Sequence, residues 1–183
     1  MSDRKKNKRA ISVRPMSIDD LPSVYHLGAK LFRAGTFPSL YRTWDEFELV
    51  GFFASDWDTC FAAVDEEDAL VGFVLGTVLE KRRSAWSYGW VVWIGVDPDA
   101  ARGGVASKLL ERVTEAFSEL GCRILLADTD PANEKAVRFF EKHGFGNPRE
   151  HVYLEKNLSS GKKAPVKKPK RGGGRVKPPP VRE

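Results

Sequence analysis

The stretch "GVDPDAARGGVASKLLERV", residues 95–113, decides the fold of this chain. It follows and overlaps the nearly apolar run "YGWVVWIGV", residues 88–96, which is typical of a central strand buried on both faces. From Val105 onward the apolar residues recur at helical spacing. The paired glycines Gly103 and Gly104 therefore connect a buried strand to a helix.

This connection has the properties of an anion site. The first N–H groups of a helix have no partner within the helix, and the helix dipole is positive there. Gly103 and Gly104 let the backbone approach a ligand closely, and Arg102 adds a positive charge. We interpret the loop as a phosphate or pyrophosphate site. An ordinary tight turn is the alternative, because the loop has neither the P-loop pattern nor the G-x-G-x-x-G spacing.

Hydrophobic periodicity predicts a mixed α/β fold. Two β-rich runs flank the polar turn "EEDA" as in a hairpin, and three antiparallel strands lead into a β-α-β unit. Two possible capping boxes precede helices, Ser17 with Asp20 and Thr43 with Glu46. The predicted strands are 10–16, 59–65, 70–80, 88–96, 123–128 and 151–158, and the predicted helices are 17–31, 44–54, 105–120 and 131–144.

Charge divides the chain into a folded domain, residues 11–158, and two basic tails. Residues 1–9 carry a net charge of +4 and residues 159–183 carry +8, so that residues 10–158 carry −7 of the total of +5. The Pro/Gly/Lys-rich tail 159–183 and the basic N-terminus 1–10 are predicted to be disordered. The tail either makes weak contacts with nucleic acid, ribosomes or acidic proteins or is a solvated segment without a fixed partner.

Length and composition exclude several classes of protein. A chain of 183 residues fits one domain, and no apolar run approaches the roughly 18 residues of a membrane span. The basic N-terminus lacks the apolar segment of a signal peptide, so we expect a cytoplasmic protein without a membrane partner. Cys60 and Cys122 are predicted to be buried, reduced thiols, and no metal site is expected because no metal-ligand spacing is present.

A second motif, "NEKAVRFFEKHGF" at residues 133–145, follows about thirty residues after the glycine pair. Together the two segments resemble the GNAT superfamily of acetyl-CoA-dependent N-acetyltransferases, over about residues 11–157. The family pattern V-x-P followed by [Q/R]-x-x-G-x-[G/A] is similar to residues 96–98 and 101–106. Its second pattern, N-x-x-A-[I/V]-x-x-Y-x-K-x-G-F, is matched at Asn133, Ala136, Val137, Lys142, Gly144 and Phe145.

The resemblance implies a mixed, mostly antiparallel central sheet with flanking helices and a splayed strand pair that forms an acetyl-CoA cleft. It assigns backbone pairing with the pantetheine arm to Ile94, Gly95 and Val96, and a pantetheine contact to Asn133, whose alternative or additional role is a helix cap. The resemblance also places Phe140 in the lining of the thioester pocket. The resemblance assigns binding of the pyrophosphate to the backbone N–H groups of the glycine loop, namely those of Arg102, Gly103, Gly104, Val105, Ala106 and Ser107.

The sequence departs from the family pattern at two positions. Ala101 stands where the family has Gln or Arg, and the positive side chain comes one residue later, at Arg102. Phe140 occupies the place of the usual Tyr, whose hydroxyl often donates a proton to the departing thiolate of CoA. Because phenylalanine has no such proton, the resemblance assigns no general acid to this chain.

Asp128 is the residue that we favour as general base. It ends the strand "RILLAD", and similar ribosomal-protein N-terminal acetyltransferases carry a glutamate at this spacing from the second motif. Alternatively, Asp128 builds a turn with Thr129 and Asp130. Glu80 and Tyr88 are weaker candidates. The histidines are predicted to be surface or packing residues, namely His26, His143 and His151.

The expected reaction is direct attack of a neutral amine on acetyl-CoA in a ternary complex, because neither cysteine has a histidine partner in a motif. Asp45, Glu46 and Glu48 either attract a cationic acceptor or are ordinary exposed helix residues. The favoured acceptor is a protein lysine or N-terminal amine. A small-molecule amine, such as a polyamine or an amino-sugar, and a non-catalytic acetyl-CoA sensor are the alternatives.

Overall fold

The computed structural model describes residues 10–32, 43–80, 86–100 and 103–149. Within them, five strands form one sheet in the order β1-β2-β3-β4-β5. The strands are β1 (Ser12–Pro15), β2 (Cys60–Val64), β3 (Leu70–Glu80), β4 (Ser87–Val96) and β5 (Cys122–Ala127). The helices are α1 (Leu21–Leu31), α2 (Glu46–Ser55), α3 (Val105–Glu119) and α4 (Glu134–Lys142), with short 3-10 turns at Ile18–Asp20 and Trp57–Thr59.

The described strands form the mixed sheet that the sequence predicts, with antiparallel strands leading into a β-α-β unit. The first four strands pair antiparallel, and β5 lies parallel to β4 after the α3 crossover. The mixed, mostly antiparallel sheet with flanking helices is therefore confirmed. The predicted strand 151–158, the tail 159–183 and most of the N-terminal segment 1–10 lie outside the described residues. The limits of the domain and of the two tails consequently stay predictions.

Helix α3 covers one face of the sheet with its apolar stripe. Phe117 is fully buried and fills the space over Gly76 of β3 and Gly89 of β4. A Cβ at either glycine would come within 2.5 Å of the Phe117 ring, so the two glycines allow the helix to approach the sheet. The buried residues of this stripe are Val105, Leu109, Leu110, Val113, Ala116 and Phe117.

The opposite face of the sheet carries an aromatic cluster beneath α1 and α2. The Trp44 ring lies 5.2 Å from that of Phe73 and 5.3 Å from that of Trp93, measured between centroids. Its indole N–H donates to the carbonyl oxygen of Tyr25 at 3.0 Å. Gly28 of α1 gives Trp44 its place, because a Cβ there would lie 2.1 Å from the indole. The hydrogen bond and the flanking rings hold the indole in position.

A capping box begins the first helical segment, as predicted. The Asp20 carboxylate accepts from the Ser17 backbone N–H at 2.7 Å and from the two terminal nitrogens of Arg14 at 2.7 and 2.9 Å. The predicted box of Thr43 with Glu46 is wrong. Helix α2 begins at Glu46, so its N-cap is Asp45, whose side chain accepts from the Glu48 N–H at 2.8 Å.

Substituting Gly28 with Ala should destabilise the protein, because the new methyl group overlaps an indole that cannot move aside. We expect a loss of about 1–3 kcal/mol in the free energy of unfolding, as for other overpacked sites. Urea denaturation measures it. Gly51→Ala on α2 is the matched control, since a Cβ there meets nothing within 4 Å. That control should gain about 0.5–1 kcal/mol from helix propensity; equal effects at both sites would contradict the packing described.

Asp20 should make the stability of the protein depend on acid pH. Burial raises the pKa of Asp20, but hydrogen bonds from Arg14 and Ser17 outweigh it and leave the pKa below its ordinary 3.8. A lowered folded-state pKa contributes stability above the unfolded pKa, and this stability is lost as pH falls through the folded value. Asp20→Asn should therefore cost about 1–3 kcal/mol near neutral pH, and the difference should shrink below about pH 4. Denaturation of the wild-type chain and of Asp20→Asn across this pH range tests the prediction. Asp19→Asn, at an exposed carboxylate, is the control and should leave the stability unchanged.

Candidate active site

Strands β4 and β5 form a fork. They pair from Ser87 with Cys122 to Val91 with Ala127, where β5 ends. Beyond this point Val92–Val96 continues alongside β3 without β5 on its other edge. The backbone of this half of β4 is therefore available on one side, among the residues that the structure describes. Ile94, Gly95 and Val96, predicted to pair with pantetheine, all lie on it.

A β-bulge at Val92 lies at the fork. Leu75 of β3 pairs with Trp93, whereas the next residue, Gly76, pairs with Val91, so Val92 is an extra residue in the ladder. Residues three apart in a regular strand face opposite sides of a sheet. The bulge instead brings Trp90 and Trp93 into the same cluster, on the α1–α2 face. Sequence reasoning missed this feature, although the spacing in "WVVW" at residues 90–93 was a signal for it.

The fork opens into a cleft of about 100 Å³. One wall is the part of β4 around the bulge, and the other comes from the loop after β5 and from α4; Phe32 from the end of α1 closes one side. Four residues singled out from the sequence meet here, namely Ile94, Asp128, Asn133 and Phe140. The other lining residues are Val91, Val92, Trp93, Thr129, Asp130 and Ala136.

The loop after β5 is a hydrogen-bonded turn that leads into α4. The Asn133 side chain accepts from the Ala136 N–H at 3.3 Å and donates to the Thr129 hydroxyl at 3.2 Å. The Asp130 carboxylate accepts from the Ala132 N–H at 2.8 Å. The cap role that the sequence offered for Asn133 is therefore confirmed, and Thr129 and Asp130 build the turn. A pantetheine contact of Asn133 stays a prediction.

Carboxylates of this region hold the two tryptophans of β4. The Trp90 indole N–H donates to Asp128 Oδ1 at 2.8 Å, and the Trp93 indole N–H donates to Glu48 Oε1 at 3.1 Å. Glu48 thus fastens α2 to the sheet, and the Asp45 side chain caps the same helix. Of the three acidic residues considered for attracting a cationic acceptor, two have structural roles, whereas Glu46 is exposed.

The glycine loop ends in the predicted helix start. Gly104 is the N-cap of α3 and has a φ of 72°, in the left-handed region that favours glycine. The Gly103 N–H donates to the carbonyl oxygen of Ala100 at 3.1 Å. Helical bonding begins with the N–H of Lys108 to Gly104 O, so the N–H groups of Val105, Ala106 and Ser107 precede it. Arg102 lies outside the described residues.

His143 joins the end of α4 to the start of α3. Its Nδ1 lies 2.7 Å from the carbonyl oxygen of Phe139, and its Nε2 lies 3.0 Å from the Ser107 hydroxyl. Because a carbonyl only accepts, Nδ1 carries the proton, and in the neutral ring Nε2 accepts from Ser107. His143 is thus a packing residue, as predicted. His26 is exposed on α1, and His151 lies outside the described residues.

Of the remaining candidate residues, Phe140 lines the cleft, whereas Glu80 and Tyr88 lie away from it. The Phe140 ring packs between those of Phe139 and Phe145, at 5.3 and 5.1 Å, and lines the cleft without a hydroxyl to offer. Glu80 pairs with Ser87 at the opposite end of β4, and Tyr88 follows immediately. These weaker candidates for a base therefore lie away from the fork.

Cys60 and Cys122 are free thiols, and their surroundings disfavour the thiolate form that a nucleophile requires. Burial raises the pKa of the Cys60 thiol to about 12 and also raises the pKa of Cys122. Cys60 is fully buried, as predicted, but Cys122 is only half-buried, because it begins β5 at the edge of the described sheet. The described ranges contain no cluster of three His, Cys, Asp or Glu residues that could hold a metal ion. They also contain no helix long and apolar enough to cross a membrane.

The sequence matches the acetyltransferase (GNAT) family over residues 21–145, more than half of the chain. The chain therefore belongs to this family, and its class is that of an acyltransferase. The resemblance that the two motifs indicated is confirmed.

Two curated relatives are the proteins named N-alpha-acetyltransferase 30 of Homo sapiens and of Mus musculus. Each is 24% identical to this chain over 95 residues, which is 51% of this chain and 26% of the relative. The chain thus spans about a quarter of the length of these relatives, 26%.

Solved structures share the fold at low identity. The crystal structure of the NatC complex bound to Gag peptide and CoA has a TM-score of 0.65 at 18% identity and covers 76% of this chain and 86% of that one. The crystal structure of an aminoglycoside acetyltransferase from an uncultured soil metagenomic sample, in complex with trehalose, has a TM-score of 0.62 at 18% identity. It covers 81% of this chain and 96% of that one. The crystal structure of Ard1 from Thermoplasma volcanium has a TM-score of 0.62 at 21% identity and covers 76% of this chain and 85% of that one.

The left-handed backbone at Gly104 makes a local prediction. Gly104→Ala should lower the free energy of unfolding by about 1–2 kcal/mol, because a Cβ disfavours this conformation. Gly103→Ala is the matched neighbour, since its nearest new contact would be 3.6 Å away, at Val105. It should change stability by less than about 0.5 kcal/mol. Chemical denaturation of both variants measures the difference, and equal stabilities would contradict the conformation described.

Proposed function

We propose that this protein transfers the acetyl group of acetyl-CoA to a primary amine of a protein, either a lysine or an N-terminal amine. The observation that carries the proposal is the cleft at the β4–β5 fork, which is lined by the part of β4 beyond the described β5 ladder together with the carboxylate of Asp128 and the amide of Asn133. Family membership supplies the class of reaction, and the cleft suggests where the reaction takes place.

The residues present suit acetyl-CoA. The edge of β4 from Val92 to Val96 offers backbone N–H and C=O groups beyond the end of β5, which suits the amide groups of a pantetheine arm. The start of α3 offers N–H groups and the positive end of a helix dipole to a pyrophosphate. These two features support the ligand roles of Ile94, Gly95 and Val96 and of the loop 102–107.

Asp128 is proposed to accept the proton that the amine loses. The amine nitrogen forms a bond with the thioester carbonyl carbon, the C–S bond breaks, and the proton passes to the carboxylate directly or through water. A backbone N–H of β4 beyond the bulge is suited to polarise the carbonyl oxygen. Phe140 has no proton to donate, so CoA leaves either as a thiolate or with a proton supplied by a water.

Direct attack in a ternary complex is proposed over an acyl-enzyme. A cysteine nucleophile must reach the thioester as a thiolate. Burial opposes this at Cys60, whose pKa is about 12, and Cys122 lies at the first residue of β5, at the end of the strand away from the fork. Neither thiol is among the residues that line the cleft.

The charges of the chain favour a cationic acceptor. Asp128 and Asp130 both line the cleft, and residues 10–158 carry a net charge of −7. A protein acceptor is supported by the relative named N-alpha-acetyltransferase 30 and by the similar NatC structure bound to a peptide. The aminoglycoside acetyltransferase of similar fold favours a small polycationic amine as the second candidate. Action in the cytoplasm and weak contact of the tail 159–183 with nucleic acid or ribosomes remain part of the proposal.

The proposal is tested by incubating the full chain with acetyl-CoA and a panel of acceptors. The panel contains peptides with free or blocked N-termini, with and without lysine, together with spermidine and an aminoglycoside. Asp128→Ala should lower kcat by about 10²–10⁴-fold, the contribution of a general base. Asp58→Ala, at an exposed carboxylate in the turn before β2, is the matched control and should keep full activity.

Three outcomes would contradict the proposal in different ways. Transfer to small amines alone would replace the protein acceptor by the second candidate. Tight binding of acetyl-CoA without transfer to any acceptor would favour a sensor. Absence of any CoA binding would overturn the assignment of the cleft.

A further inference from the structure

The bond between Trp90 and Asp128 lies where the two strands of the fork part. Trp90 pairs in register with Leu126, and Val91 with Ala127 is the last pair of the ladder. Asp128 is therefore the first residue beyond the ladder, two residues after Leu126 and on the same side of the chain. The Trp90 side chain reaches along the strand direction and donates its indole N–H to Asp128 Oδ1 at 2.8 Å.

The chemistry of the pair gives this bond a fixed direction. An indole N–H only donates and an ionised carboxylate only accepts, so the roles cannot reverse. A hydrogen bond to an ionised acceptor is stronger than a neutral one. The indole is itself restrained, because the bulge at Val92 places it on the α1–α2 face, where it is partly buried and packs against the same hydrophobic core as Trp93.

We propose that Trp90 is a positioning residue for the transfer reaction: its indole N–H fixes the carboxylate of Asp128 at the edge of the cleft. This inference rests on the proposed function, in which Asp128 accepts the proton of the amine. The loop after β5 begins where the described β4–β5 ladder ends, and the Trp90 bond ties it to β4 at the residue that performs the chemistry. Trp90 acts through Asp128 and is not assigned a contact with the substrate.

Kinetics of four variants tests this role. Trp90→Phe keeps an aromatic ring and removes the donor, and Trp57→Phe is the matched control at a tryptophan that is 60% exposed. In Trp90→Phe, kcat should fall by about 10- to 100-fold, the contribution of one hydrogen bond to a charged group, while the KM for acetyl-CoA is unchanged. In the Asp128→Ala background, Trp90→Phe should have no further effect on kcat, because its partner is gone. Trp57→Phe should behave as the wild-type chain does.

The indole proton of Trp90 gives a second readout that does not depend on turnover. The chain has five tryptophans, whose indole N–H groups give separate signals in a nitrogen–proton NMR spectrum. Asp128→Ala should move one of them upfield, because that proton loses a charged acceptor, and the same signal should vanish in Trp90→Phe. Should Trp90→Phe fail to fold, the shift in Asp128→Ala still decides whether a tryptophan holds this carboxylate.

The outcomes separate this inference from the proposed function. A wild-type chain that transfers nothing contradicts the proposed function, whereas unmoved indole signals in Asp128→Ala contradict the Trp90 bond. Equal kcat values in Trp90→Phe and Trp57→Phe, with Asp128→Ala inactive, would overturn the positioning role alone. A loss in Trp90→Phe that persists undiminished in the Asp128→Ala background would also overturn it, because Trp90 would then act by another route.

Discussion

Val92 is an extra residue in the ladder between β3 and β4, and the candidate site depends on the position of the β-bulge that it forms. The bulge lies next to the point at which β5 ends, so β4 changes its facing direction where it loses a neighbour. Among the described residues, an edge of β4, the strand between β3 and β5, thereby becomes available to a ligand where strand pairing would normally consume it. The fork, the cleft and the placement of both tryptophans follow from this local arrangement.

Packing on the two faces of the sheet holds the fork open. On one face, Phe117 seats the C-terminal end of α3 closely over two glycines of neighbouring strands, and Val105 at the start of the helix lies over Gly72 of β3, the partner of Val96 at the end of β4. On the other face, the cluster of Trp44, Phe73 and Trp93 anchors α1 and α2. The start of α3 and the cleft therefore rest on packed elements, as a site requires if its groups are to keep their positions.

Polar groups around the cleft combine structural and chemical roles. Asn133 caps α4, Asp130 holds the preceding turn, and Glu48 fastens α2 to Trp93. Hydrogen bonds of this kind give each carboxylate or amide a definite orientation before any ligand arrives. Asp128 is connected to β4 in the same way, through Trp90. The hydrogen bonds that connect the walls of the cleft thus also orient its polar side chains.

By itself, the sequence determined the order of the described elements, the strand-to-helix connection at Gly103 and Gly104, the capping box of Ser17 and the family. These features depend on local periodicity, helix-end chemistry and motifs, which can be read along one segment at a time. The cap of α2 was misplaced from Asp45 to Thr43, because several polar residues compete within one turn. Only the tertiary structure decided the bulge at Val92, the shared face of Trp90 and Trp93, and the bond from Trp90 to Asp128. Strand register is set by pairing between segments distant in the chain, so a one-residue shift that moves a side chain to the other face leaves little mark on the local pattern.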